Sequence, residues 1–189
     1  MLDSVRELGI PRLIYASTSG TVGCSRNSNY RAADDAPYCT EITKRWPYYA
    51  SKIEAEKMVL NEAQRGGVSL ICLNPSLVLG PGDTERSSTG DIHDFLEKKL
   101  PFVAGGGFNF VDVRDVALAF VKAAKSGVPG IRYLLGAKNV RVAEFMAMLE
   151  QVSGVAAPRE SIFRIESYFL GSYSSISHSF VTLFSNIFF

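Results

Sequence analysis

The sequence predicts an α/β fold, the C-terminal part of a doubly wound parallel sheet joined to a smaller mixed α/β lobe. Three observations carry that expectation. The run "VSLICLNP" (68–75) is almost continuously apolar, as a strand covered on both faces must be. A helical pattern over 48–64 separates it from an earlier apolar run at 12–17, which makes one strand–helix–strand unit. Downstream, short apolar runs at 108–113 and 131–136 alternate with amphipathic stretches at 114–127 and 141–154.

Taken in order, "MLDSVRELGIPRLIYAS" reads as the end of a helix followed by the first strand. The strand ends abruptly in small and hydroxylated residues, Ala16, Ser17, Thr18 and Ser19, which is how a buried strand delivers polar groups to a site at its carboxyl end. A polar stretch, "CSRNSNYRAADDAPYCTEITKRW", is too long for an ordinary connection, and loops of that length usually carry function. In the next helix Ile53, Ala55, Met58, Val59 and Leu60 supply the apolar positions and "RGG" supplies the stop. "LGPGDTERSSTG" is a second loop rich in turn residues, leading into a short helix through Ile92, Phe95 and Leu96. "AGGGF" leads into a strand rather than a helix, so it lacks the amide array of a phosphate site and reads as a turn. Asp115 sits near the start of the following helix, and Gly154 closes the last one.

Composition narrows the function. A net charge of +1 with interleaved acidic and basic residues gives no basic stripe for nucleic acid, so the expected partner is a small molecule. Three cysteines without C-x-x-C spacing and two isolated histidines argue against a disulfide framework or a metal site. A reducing, cytoplasmic setting follows. The segment 167–189 has no formal charge but is crowded with Ser, too polar in its first half for a spanning helix of roughly 20 apolar residues.

The stretch "PYYASKIEAEK" places Tyr48 and Lys52 four apart at a helix start, on one face. A free tyrosine has a pKa of about 10, and a nearby ammonium or a helix N-terminus favours the phenolate. Tyr48 can therefore serve as an acid or base. Together with the hydroxyls at 17–19 and the strand end Asn74, Pro75 and Ser76, it converges on the carboxyl edge of one sheet, where α/β folds bind ligands. Serine-hydrolase chemistry would need a G-x-S-x-G turn, and His93 is the sole base on offer.

These features, "YASTSGTVG", "YYASKIEAEK", "NPSLVLGPGD" and "FNFVDVRDVALA", resemble the extended short-chain dehydrogenase/reductase superfamily over about 5–159, in particular its dihydroflavonol 4-reductase-like and NAD-dependent epimerase/dehydratase branches. The resemblance implies a Rossmann-type sheet and a nicotinamide cofactor, NADP or NAD, with the likeness to the reductases favouring NADP. It implies Tyr48 as the acid/base, and Lys52 holding the nicotinamide ribose while depressing the Tyr48 pKa. Thr18 takes the place of the family's catalytic Ser or Thr. Its neighbours Ser17 and Ser19 are the rivals, and Thr18 is preferred because it is the third small residue after the strand. Ser17, Pro75, Ser76 and Val78 border the cofactor and Asn74 faces substrate. Asp112 stands where the family commonly has His.

Residues 1–78 are accordingly expected to be the rear of the dinucleotide-binding domain, 79–160 the smaller substrate lobe with interleaved sheet elements, and 161–189 an unrelated tail. The family's G-x-x-G-x-x-G turn has no counterpart in the sequence, which would leave the 12–17 strand on a bare sheet edge and makes a truncated form the expectation. The leading function is a nicotinamide-dependent oxidoreductase on a carbonyl or secondary alcohol. A nucleotide-sugar epimerase/dehydratase and an inert fragment, with or without self-association into a homo-oligomer, are the alternatives.

Overall fold

The computed structural model describes residues 1–44, 46–66, 68–159 and 161–162. Helix α1 (Leu2–Glu7) leads into β1 (Arg12–Ala16), followed by a short 3-10 turn (Ser19–Thr21). The long polar stretch contains one short helix, α2 (Thr40–Thr43), and ends at α3 (Pro47–Arg65). Proline at the first position of α3 fits a site whose N–H has no helical partner, and Gly66, at φ +80°, ends it. Next come β2 (Ser69–Pro75), β3 (Leu77–Leu79), α4 (Gly90–Leu96), β4 (Val103–Ala104) and β5 (Gly107–Asp112). The chain continues through α5 (Val113–Ser126), β6 (Arg132–Leu135), β7 (Lys138–Arg141), α6 (Val142–Ser153) and β8 (Ser161–Ile162).

The first sheet is parallel, in the order β1-β2-β6, so β1 is its edge strand among the described residues. Central β2 shows why its sequence lacks alternation. Leu70 and Cys72 pack with Val59 of α3 on one face, while Ile71 and Leu73 pack with Ala123 of α5 on the other. Both faces are covered, so both sets must be apolar. At its C-terminal end α5 is tied back to the sheet by Arg12, whose guanidinium donates to the carbonyls of Ala123 and Ala124.

A second sheet, β3-β5-β7, is mixed: β3 and β5 are parallel and β7 is antiparallel to β5. Its core joins Phe108 and Val140 to Phe95, Leu100, Phe145 and Met146. The chain passes from the first sheet to the second after Pro75 and again after Leu135. At that second crossing a Cβ on Gly136 would lie 2.5 Å from Asn109 Oδ1, so no larger residue fits without displacing Asn109. Strands β3, β4 and β7, two to four residues each, are too short to give a period in the sequence. The N-cap of α5 is Asp112, whose carboxylate accepts from the Arg114 amide at 2.8 Å, and Asp115 lies in the first turn. Of the expected tail, Ser161 and Ile162 pair with β4, and the rest lies outside the described residues.

One buried charge joins the pieces of the first sheet. Glu56 of α3 is fully buried. Its Oε1 accepts from Arg132 of β6 at 3.0 Å, and its Oε2 accepts from Asn74 of β2 at 2.7 Å and from the Ser17 hydroxyl. Arg132 also donates to the carbonyls of Asp34 and Ala36, and Asp34 Oδ1 accepts from the Leu134 amide, which pins the long loop onto β6. Asn74 shares its amide hydrogens among Glu56, the Thr18 carbonyl and the Thr21 hydroxyl. Removing one member of a buried pair strands the other's charge at a typical penalty of 3–5 kcal/mol. Glu56→Gln is therefore expected to lower unfolding stability by about 3 kcal/mol or more, read as the urea midpoint with an unchanged slope. A loss within experimental error would show that the network is incidental.

A second buried carboxyl behaves differently. Asp91 of α4 is 6% exposed, its Oδ1 has no partner among the described residues, and burial together with the nearby Asp94 pushes its pKa up from 3.8 to about 7. The folded chain thus holds a proton that the unfolded chain releases above 3.8. Stability is expected to be full below pH 4, to fall as pH rises toward 7, and to level off above it. Asp91→Asn should abolish that fall in urea melts across the interval; a variant that keeps the parent's pH slope would assign it to other groups.

Candidate functional site

The carboxyl ends of β1 and β2 and the amino end of α3 meet at one place. Beyond β1 the ladder runs one residue further, the Ser17 amide donating to the Leu73 carbonyl at 2.8 Å. The chain then turns at Thr18, which caps the 3-10 turn by accepting from the Gly20 amide at 3.3 Å. Lys52, one helical turn into α3, reaches back over this edge: its ammonium donates to the Ala16 carbonyl at 3.0 Å. It stands 5.4 Å from the centre of the Tyr15 ring and 5.9 Å from that of Tyr48. Tyr48 is 56% exposed.

The electrostatics at Tyr48 correct one expectation. The phenol lies above its ordinary value of 10 because the ring is partly buried. Lys52 directs its charge at the Ala16 carbonyl as well as at the rings. In this arrangement the Tyr48 hydroxyl keeps its proton at neutral pH.

The other sequence-derived residues divide by burial. Ser17 is 8% exposed, with its hydroxyl committed to Glu56, and Asn74 is fully buried, with its amide nitrogen committed as above. Two polar atoms here have no partner within the described residues: Asn74 Oδ1 and Ser76 Oγ. Pro75 ends β2 and Val78 lies in β3, in register with Val111 of β5. Asp112 is held down at about 2 by the Arg114 guanidinium and N–H, an ion pair at a helix start. His93 lies in α4, whose Ile92 and Phe95 join the core of the second sheet. No group of three or more His, Cys, Asp or Glu that could hold a metal occurs among the described residues. Nor is any helix there long and apolar enough to cross a membrane.

Beside this edge opens a cleft of about 1120 Å³. Thr18, Ser19, Tyr49 and Ser76 form its floor side, the 23–32 loop one wall, and the β4–β5 turn with β7 and Glu144 the other. Tyr49 rather than Tyr48 lines it. The Tyr49 ring packs edge-on against Trp46 and Tyr48 and lies flat on Gly20, where a Cβ would fall 2.0 Å from the ring. Glu56, Arg132 and Tyr49 are the members that sequence reasoning missed. Glu56 had a signal: it lies four residues after Lys52, on the helix face turned toward the sheet.

Comparison with known proteins places this arrangement. The family model for the NAD dependent epimerase/dehydratase family matches residues 1–136. A provisionally named dihydroflavonol 4-reductase of Synechocystis sp. is 32% identical over 168 residues, covering 86% of this chain and 48% of the relative. Cinnamoyl-CoA reductase 1 of Arabidopsis thaliana is 32% identical over 160 residues, 79% of this chain and 46% of the relative. The chain thus spans about half the length of the curated relatives it matches. Among solved structures, a nucleoside-diphosphate-sugar epimerase from Pseudomonas aeruginosa superposes with a TM-score of 0.81 at 17% identity, over 98% of this chain and 59% of that one. The dTDP-glucose 4,6-dehydratase of Bacillus anthracis, in complex with NAD, gives 0.71 at 19% identity, over 86% and 52%. The structural likenesses speak for the fold, and the family match spans β1 through β6 with the whole Thr18, Tyr48 and Lys52 edge: this chain belongs to the NAD dependent epimerase/dehydratase family.

Proposed function

We propose that this segment is the proton-handling part of a nicotinamide-dependent oxidoreductase that acts on a carbonyl or secondary alcohol. The observation that carries the reading is the docking of Lys52 on the Ala16 carbonyl, which holds the Y-x-x-x-K face of α3 against the turn bearing the Thr18 hydroxyl. Two buried polar atoms without partners among the described residues, Ser76 Oγ and Asn74 Oδ1, lie at the adjoining end of β2, and they suit the amide-and-ribose end of a nicotinamide nucleotide. Lys52 has hydrogens left to offer ribose hydroxyls, and Ser17, Pro75, Ser76 and Val78 border the same side. Bound there, the nicotinamide supplies or accepts the hydride.

The remaining chemistry falls to this chain. Thr18, at the cleft, donates a hydrogen bond to the substrate oxygen and fixes its direction. Tyr48 gives its phenolic proton to that oxygen during reduction, and takes it back during oxidation. Lys52, a fixed positive charge beside the ring, stabilises the phenolate left behind. The reductase class is preferred over the sugar-modifying one because the two relatives at 32% identity are named as reductases. The breadth of the cleft, with Arg31 and Arg141 in its lining, favours the second reading, a nucleotide-sugar epimerase or dehydratase. The preference for NADP over NAD rests on the likeness to the reductases.

In a protein carrying this segment, Tyr48→Phe is expected to reduce turnover about 100-fold or more, the usual range for a lost general acid, with nicotinamide-nucleotide affinity held. Lys52→Met should weaken both. Nicotinamide absorbance measures the first and calorimetric titration the second. A Tyr48→Phe protein that retains the parent's rate would overturn the assignment, and equal affinity in the Lys52→Met variant would remove Lys52 from the cofactor site.

A further inference from the structure

Two of the three cysteines lie together on the loop that walls the cleft. Cys24 Sγ donates to the Gly20 carbonyl at 3.4 Å, and Cys39 Sγ donates to the same oxygen at 3.2 Å and to the Thr21 carbonyl at 3.2 Å. Backbone bonds hold both ends of the pair in place. The Gly23 amide donates to the Ser19 carbonyl at 2.7 Å, and the Cys39 amide donates to the Thr21 carbonyl at 3.0 Å. Both residues are half-buried, and Cys24 lines the cleft. Cys72 is different: it is fully buried in β2, and burial pushes its thiol up to about 12.

We propose that Cys24 and Cys39 form a reversible disulfide that ties off the segment between them and so sets the position of one wall of the cleft. The inference stands apart from the proposed oxidoreductase activity. The closeness of the two thiols lowers Cys39 and, with burial, raises Cys24. Cys39 is therefore the attacking thiolate and Cys24 the resolving thiol. The oxidant is a small-molecule disulfide of the glutathione class. Cys39 attacks one sulfur of the reagent, its S–S bond breaks, and one reagent thiolate leaves. Cys24 then attacks the Cys39 sulfur, the mixed disulfide breaks, and the second reagent thiolate leaves. Two protein thiols are oxidised to one disulfide, the reagent is reduced to two thiols, and the protons of Cys24 and Cys39 pass to them.

The consequences are local. Oxidation removes the S–H donors from the Gly20 carbonyl, next to the Tyr49 ring, and closes the loop that contains the cleft-lining Ser25 and residues 27–32. Arg26 and Arg31, both exposed, fall inside the closed segment and offer trypsin sites.

The test equilibrates the 189-residue chain with mixtures of reduced and oxidised glutathione, followed by alkylation and peptide mass analysis. The expected product is lighter by two hydrogens, carries a Cys24–Cys39 cross-link, leaves Cys72 open to alkylation only after unfolding, and reverts with dithiothreitol. Trypsin cleavage at Arg26 or Arg31 should leave its fragments joined until reductant is added. Cys24→Ser should trap glutathione on Cys39, and Cys39→Ser should slow adduct formation at Cys24 by about tenfold or more. Amide exchange over 24–32 should slow by about tenfold on oxidation. Glutathione adducts on both thiols without a cross-link, or a bridge that includes Cys72 or a second chain, would overturn the pairing. Unchanged amide exchange in the cross-linked chain would overturn the effect on the cleft wall.

Discussion

A single buried carboxylate sets what the rest of the site depends on. Glu56 has no exposed surface, and a charge taken out of water survives only where its oxygens are fully engaged. The engagement here comes from three strands at once: Ser17 just past β1, Asn74 in β2 and Arg132 in β6. Those contacts place α3 against the sheet at one height, and with it Tyr48 and Lys52, two turns and one turn N-terminal to Glu56. Arg132 extends the constraint to the long loop through Asp34 and Ala36, and Tyr38 lies over its guanidinium at 5.1 Å. A polar centre of this kind contributes less net stability than apolar packing would. Its return is geometric, since three strand positions and a helix are fixed relative to one another.

The same geometry explains the division of labour among the hydroxyls at 17–19. Ser17, on the inward side of the strand end, serves the carboxylate. Thr18 is released outward because its carbonyl, not its hydroxyl, answers Asn74. Gly20 then lets Tyr49 lie on the turn, so a ring backs the wall on which Thr18 opens to the cleft. Lys52 neither sinks into the core nor swings free; it spans the edge between β1 and the exposed Tyr48 ring. Partial burial of the ring raises its phenol above the ordinary value.

Much of this was legible in the sequence, for physical reasons that differ by element. β2 announced itself because burial on both faces removes polar residues from a seven-residue strand. α5 and α6 did so through their apolar stripes, and α3 through its apolar positions and glycine stop. The short strands β3, β4 and β7 carried no such mark, since two to four residues cannot display a period. The residues of the Y-x-x-x-K helix stood out by spacing alone. Glu56 offered only its spacing from Lys52, because a glutamate inside a charged helix reads as a solvated one until the helix is laid on the sheet. Arg132, in a strand otherwise apolar, hid for the same reason. Helix spacing shows that Lys52 is near Tyr48, but not that burial of the ring raises the phenol.

If Glu56 holds this edge together, its loss should loosen particular segments rather than the whole chain. Amide hydrogen exchange of the parent and Glu56→Gln, compared under strongly native conditions, addresses this most directly. The expected result is faster exchange at 17–22, at 74–76 and at 132–134, with protection in the β5–β7 sheet and α6 unchanged. Uniform acceleration over both sheets, or parent-like protection at 17–22, would contradict the account.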